Sequence, residues 1–213
     1  MDWHFLLRKI GRHPVMAAFA VMGSLILVIV IVLSIAPKSY YQVDAEVNYS
    51  PEDRVVEVMH ESSPQRLQIP KLNIDTTFSA SLGLNEQKEI EVPEEYDQVG
   101  WYKFGPTPGE IGPAVILGHV DSVDGPAVFY SLGKLEAGDR IYVDREDGST
   151  AEFEVTSLQR VSQDNFPTEE VYGKIDYAGL RLITCSGKYD KVTKRYSNNL
   201  IVYAKLLDTY PAN

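Results

Sequence analysis

Cys185 is the only cysteine in the 213-residue chain. It closes the apolar run LRLITC and is followed by Ser-Gly. His119 closes a second apolar run, AVILGH, and is followed by Val-Asp-Ser. Each is a polar residue at the end of a predicted strand, next to a loop. Two strand ends at one rim would place the thiol and the imidazole over a shared cleft, as a nucleophile and its proton partner. Such a pair performs acyl transfer, and the developing oxyanion then needs donors such as backbone N–H groups or an arginine. The blander alternatives are a small buried thiol and a hydrogen-bonded rim histidine. A zinc site of His119, Asp121 and Cys185 is a third reading, but no C-x-x-C or H-x-x-x-H pair supports it. No cofactor motif stands out, so neither metal nor cofactor is expected.

The elements that must position these residues read as β. Leu67, Ile69, Leu72 and Ile74 alternate with polar neighbours, interrupted by Pro70. KEIEV at Lys88–Val92 is short and β-like, and GPAVILGHV is apolar enough for a strand covered on both faces. DRIYVDREDGSTAEFEV reads as a hairpin, with Asp147-Gly148 supplying positive φ at a tight turn. Leu180–Cys185 and Asn199–Leu206 are two further strands. Short helical turns fit Pro126–Leu132 and Thr168–Tyr172. Seven or eight short strands without a long amphipathic helix predict an all-β closed barrel over residues 66–213.

The N-terminal part is different. Residues 15–36 contain no charged side chain. As a helix, these 22 residues would span about 33 Å, enough for a hydrocarbon core. Arg8, Lys9 and Arg12 precede the run, which predicts a cytoplasmic N-terminus (1–14), a single-pass transmembrane anchor (15–36) and an extracellular remainder. Residues 37–65 are polar, with prolines near both ends, and read as an extracellular linker with a short helix around Val55–Met59. Residues 1–37 carry Arg8, Lys9 and Arg12 against Asp2, a net of +2, so the chain's net −10 leaves −12 on the rest. An acidic exported domain is a poor partner for nucleic acid. It is also a setting in which one unpaired cysteine calls for an explanation.

The paired motifs LGHVDS and LITCSG resemble those of the sortase family, membrane-anchored cysteine transpeptidases of Gram-positive bacteria. IPKLNIDTTF is similar to the family's first strands, and VGWYKFGPTPGEIGPAVILGHVDS to the segment leading to its histidine. LRLITC followed by Ser-Gly, together with NNLIVYA, looks most like the class F sortases of actinobacteria. The resemblance implies an eight-stranded barrel and a defined reaction. Cys185 would attack the threonyl carbonyl of an LPXTG-like sorting signal on a surface protein. A thioacyl enzyme would form, and an amine on a peptidoglycan precursor or a pilin would take the acyl group. His119 would move the protons, and Thr184 would lie in the oxyanion region. A lone thiol then makes sense, since a second could trap it as a disulfide. The family's arginine at the start of the last strand is replaced here by Asn199, with Arg195 in the loop before it. Arg195 is expected to supply the charge and Asn199 to orient the substrate backbone. Arg181, about 13 Å back along the strand, is too distant. Two other functions stay open: a cysteine peptidase releasing substrate to water, and a silent wall-proximal binding module with a buried thiol.

Overall fold

The computed structural model describes residues 56–212. The predicted cytoplasmic segment, the membrane span and the linker up to residue 55 lie outside the described residues. The strands are β1 (Pro64–Ile69), β2 (Ile74–Leu82), β3 (Val99–Tyr102), β4 (Gly112–Gly118), β5 (Asp121–Ser122), β6 (Gly125–Pro126), β7 (Arg140–Arg145), β8 (Thr150–Ser162), β9 (Ala178–Asp190) and β10 (Arg195–Tyr210). Eight of them close a barrel in the order β1-β2-β3-β4-β9-β10-β8-β7, while β5 and β6 form a separate small hairpin. The expected all-β closed barrel is therefore what the chain builds, and Pro70 starts a 3-10 turn between β1 and β2.

Two of the barrel's neighbours, β2 with β3 and β4 with β9, run parallel. Parallel neighbours cannot be joined by a tight hairpin and need a long connection. The β2–β3 link, residues 83–98, is one such crossover. All of KEIEV lies in it, and the alternation there yields one isolated bridge, Leu84 to Ile90, rather than a strand. The stretch instead folds on itself. Asn85 Oδ1 accepts from Gln87 N (3.0 Å) and Glu89 N (2.9 Å), and Glu91 Oε2 accepts from Gly83 N at 2.6 Å.

Inside the barrel, Leu67, Ile69, Ile116, Leu182 and Val202 pack in one buried apolar cluster, joined by Phe129 and Leu132 from the β6–β7 connection. A smaller cluster on the outer face joins Val115, Ile183, Ile201 and Tyr203 to Val171 of the short helix Thr168–Tyr172. That second layer explains why β4 reads as continuously apolar: both of its faces are covered.

The β7–β8 hairpin forms where the sequence places it, with a different turn. Gly148 has φ +82°, while Asp147 is not in the left-handed region. Gly148 N donates to Arg145 O (3.0 Å), and Arg145 N donates to Ser149 O (2.9 Å). This is a three-residue loop closed by one left-handed glycine.

Residues 56–63 contain no helix. They lie along the barrel instead. Val56 and Met59 pack against its core, Met59 N donates to Gly109 O (2.9 Å), and the buried Arg145 guanidinium donates to His60 O.

Candidate active site

Strand alternation decides which side chains meet. On β9, Leu180 and Leu182 enter the core, so Ile183 and Cys185 face outward. Leu117 and His119 share the outward parity on and beyond β4, as Asn199 and Ile201 do on β10. The site is therefore on the barrel's outer wall, not over its rim. One cavity of about 520 Å³ is lined by His119, Thr184, Cys185, Arg195 and Asn199, together with Gln163. Pro93 and Val92 of the β2–β3 crossover wall it on one side, and Phe166 and Tyr172 of the β8–β9 connection on another. All four residues singled out from sequence reach this cavity.

Two of them arrive differently from expectation. Cys185 does not end its strand. It pairs with Asn199, and the ladder continues past a bulge to Asp190. Gly187 takes φ +82° at that bulge, where a Cβ would run into Ser197 and Asn198. Arg195 is not in a loop. It is the first residue of β10 and pairs with Asp190. Arg195 nonetheless lines the cavity wall. Asn199 is the direct cross-strand neighbour of Cys185.

His119 is fixed from several sides. Gly118 precedes it, and a Cβ there would overlap the Phe129 ring at 2.6 Å. Phe129 N in turn donates to His119 O at 2.9 Å. The imidazole lies against Tyr96, with ring centroids 4.7 Å apart. Nε2 is 2.7 Å from Pro93 O. A carbonyl only accepts, so Nε2 carries a hydrogen there and Nδ1 is the basic nitrogen of the neutral ring. No hydrogen bond joins His119 to Cys185 among the described residues; the sulfur's partner is Gln163 Nε2, at 3.9 Å.

Burial pushes the Cys185 thiol above its ordinary pKa; Asp121 adds to this, and Arg195 acts in the opposite sense. The thiol is thus neutral at rest and needs a base before it can attack. Asp121 itself is engaged by the Tyr196 hydroxyl, and that bond is the main cause lifting the Tyr196 phenol to about 12. Burial likewise lifts Tyr172 to about 12, so the cavity keeps a neutral phenol in its wall. Thr184 is buried, and its Oγ1 has no hydrogen-bond partner among the described residues. Arg181 is buried over the Tyr203 ring, 4.7 Å from its centroid, with one nitrogen on Leu180 O. It is committed elsewhere, as its distance along the strand suggested.

A family model for the sortase domain matches residues 67–207, well over half of the chain. The chain belongs to the sortase family. Solved sortases share its fold at low identity. Sortase A from Corynebacterium diphtheriae is 20% identical, with TM-score 0.54 over 70% of this chain and 62% of that one, under two thirds of its length. Streptococcus agalactiae sortase C1, solved in complex with MTSET, is 22% identical, with TM-score 0.50 over 67% of this chain and 66% of that one. Listeria monocytogenes sortase A is 15% identical, with TM-score 0.54 over 72% of this chain and 92% of that one. No curated protein sequence matches the chain. The sortase barrel of this chain thus carries its lone thiol, a histidine, an arginine and an asparagine on one outer-wall cavity. Sequence reasoning missed Gln163, Pro93, Tyr96 and the Asp121–Tyr196 pair. Their contacts cross between elements that no local pattern links.

Proposed function

We infer that this sortase is a cysteine transpeptidase that cleaves an LPXTG-like sorting signal and passes the acyl group to an amine. The observation that carries the reading is the convergence of His119, Cys185, Arg195 and Asn199 on one cavity. Cys185 Sγ passes its proton to His119 Nδ1 and attacks the threonyl carbonyl, giving a tetrahedral oxyanion that faces Arg195. The C–N bond breaks, the departing amine takes a proton from His119, and a thioacyl enzyme remains. The acceptor amine then attacks. It loses a proton to His119, the new C–N bond forms, and the C–S bond breaks with its electron pair going to sulfur, which takes the proton back from His119 to restore the thiol.

The same reading extends to the setting. The donors are surface proteins with a C-terminal sorting signal, and the acceptor is a peptidoglycan-precursor or pilin amine. Residues 15–36 hold the enzyme in the cell membrane, N-terminus inside and barrel outside, which keeps it beside both substrates. The class F assignment rests on LRLITCSG and NNLIVYA. Mass spectrometry of the full-length protein with a panel of sorting-signal peptides, with and without a primary amine, is the test. A thioacyl adduct at Cys185 and amine-dependent product are expected. Products of water attack alone, unaffected by any amine, would make it a peptidase. A Cys185 that never forms an adduct would make it a silent binding module.

A further inference from the structure

Gln163 is the first residue of the 3-10 turn Gln163–Asn165 that follows β8. Strand register accounts for its place. Val161 of β8 pairs with Asn199 of β10, and Asn199 pairs with Cys185 of β9. The three form one cross-strand row, and Gln163 follows two residues beyond its β8 member. The Ser162 hydroxyl holds the turn by accepting from Asp164 N at 3.3 Å. From there the Gln163 amide crosses β10. Its Nε2 donates to Asn199 Oδ1 at 3.3 Å and to Cys185 Sγ at 3.9 Å.

A primary amide has a donor end and an acceptor end, and the end that faces the sulfur matters. N–H stabilises negative charge on sulfur, whereas C=O opposes it. Asn199 Oδ1 only accepts, so it selects the NH2 end and leaves the second hydrogen for the thiol. We propose that Gln163 is the hydrogen-bond donor to the Cys185 sulfur, and that Asn199 is a positioning residue which holds that amide donor-side in. This rests on the transpeptidase reading and deepens it. Charge sits on sulfur twice in the cycle. It is there once the thiol has lost its proton, before attack on the donor carbonyl. It returns when the acceptor amine breaks the C–S bond and the electron pair goes back to sulfur. One donor therefore serves both half-reactions. Asn199 then acts through Gln163 rather than on the substrate backbone.

The thiol's titration also senses Asp121 of β5 and Arg195 of β10, and Tyr196 of β10 interacts with it; His119 beyond β4, Lys88 and Glu89 of the crossover and Tyr172 of the short helix line the same cavity. The test is therefore a comparison of variants in the full-length protein. The rate of Cys185 alkylation by iodoacetamide is followed against pH. Gln163→Ala should raise the midpoint by about 0.5–1 pH unit through loss of a donor to the charged form. Gln163→Glu should raise it further, because it adds a negative charge. Asn199→Ala should raise it less, and the double variant should match Gln163→Ala rather than the sum. In single-turnover assays, acylation and aminolysis should both slow by roughly tenfold, with peptide KM little changed. Gln163→Met, which keeps length without a donor, covers the case in which the alanine variant does not fold. An unchanged midpoint in folded Gln163→Ala and Gln163→Met overturns the proposal, as do fully additive effects of the Asn199 and Gln163 variants. Alkylation needs no peptide, so a panel in which no peptide reacts would sink the transpeptidase reading without touching this result.

Discussion

The two faces of β9 are built for different purposes. Leu180 and Leu182 point into a core supplied by every side of the barrel, including fully buried Leu67, Ile141 and Val202. Ile183 and Cys185 point the other way, onto a wall covered only by connections: the crossover at residues 83–98 and the segment carrying Phe166 and Tyr172. The inner face is sealed, apolar and fixed by close packing. The outer face carries a smaller buried apolar cluster around Ile183 and, beside it, the half-buried polar cavity around Cys185, and long links dictated by strand order roof it. Stability and chemistry are thus read from alternate residues of a single strand. Exchanging side chains on one face should leave the other property nearly untouched.

Cys185→Ala should show the separation at its largest. Turnover of any sorting peptide should fall below detection, while circular dichroism and thermal unfolding stay as in the parent. A folded Cys185→Ala protein that still cleaves peptide would sink the nucleophile assignment. Leu182→Ala is the mirror image. It should cost about 2–5 kcal/mol of stability by leaving a core cavity, with the acylation rate per folded, titratable thiol unchanged. Denaturant unfolding beside active-site titration reads both quantities. A loss of rate as large as the loss of stability would mean that the two faces are coupled.

The same division accounts for what could be read from sequence. Strands with one buried face announce themselves. Ile141, Val143, Phe153 and Val155 alternate and are buried, and the hairpin they form was legible down to its glycine. The ends of β9 and β10 were not. Gly187 to Asp190 and Arg195 to Ser197 are largely exposed, so nothing apolar recurs there to mark a strand. This is why Cys185 read as strand-terminal and Arg195 as a loop residue. KEIEV erred in the other direction, since its alternation had no sheet edge to pair with. His119 and Cys185 were legible because each ends an apolar run. Gln163 was not, because its contact depends on β10 lying between β8 and β9, an order that no local periodicity contains.

Arg195→Ala tests the outer face with a smaller effect. The guanidinium lines the cavity and acts to lower the thiol pKa against the effects of burial and Asp121. Removing a donor to an oxyanion typically costs about 2.7–4 kcal/mol, so acylation should slow by roughly 10²-fold or more with little change in peptide binding. The alkylation midpoint should also move upward, because a cation favouring the thiolate is gone. Acylation at the parent rate would leave backbone N–H groups as the oxyanion's donors.

The smallest effect belongs to a polar device far from the site and tests whether stability outside the core follows the same logic. In the β7–β8 turn, Asp147 accepts from the Ser149 hydroxyl and from Ser149 N, and these bonds hold its carboxyl below the ordinary value; the Arg145 guanidinium, 3.8 Å away, adds to them. A carboxyl whose folded pKa is depressed contributes stability above its unfolded pKa, about 3.9. That contribution is lost as pH falls through the lower, folded value. The group is half exposed, so solvent screening keeps its contribution under about 1 kcal/mol. The Tm difference between parent and Asp147→Ala should therefore be small and constant above about pH 5, then shrink as the pH is lowered toward 2. A difference that stays constant across that range would mean the turn depends on Gly148 and the Arg145–Ser149 backbone pair, with the carboxylate contributing nothing. A difference that grows toward acid would contradict the sign of the shift itself.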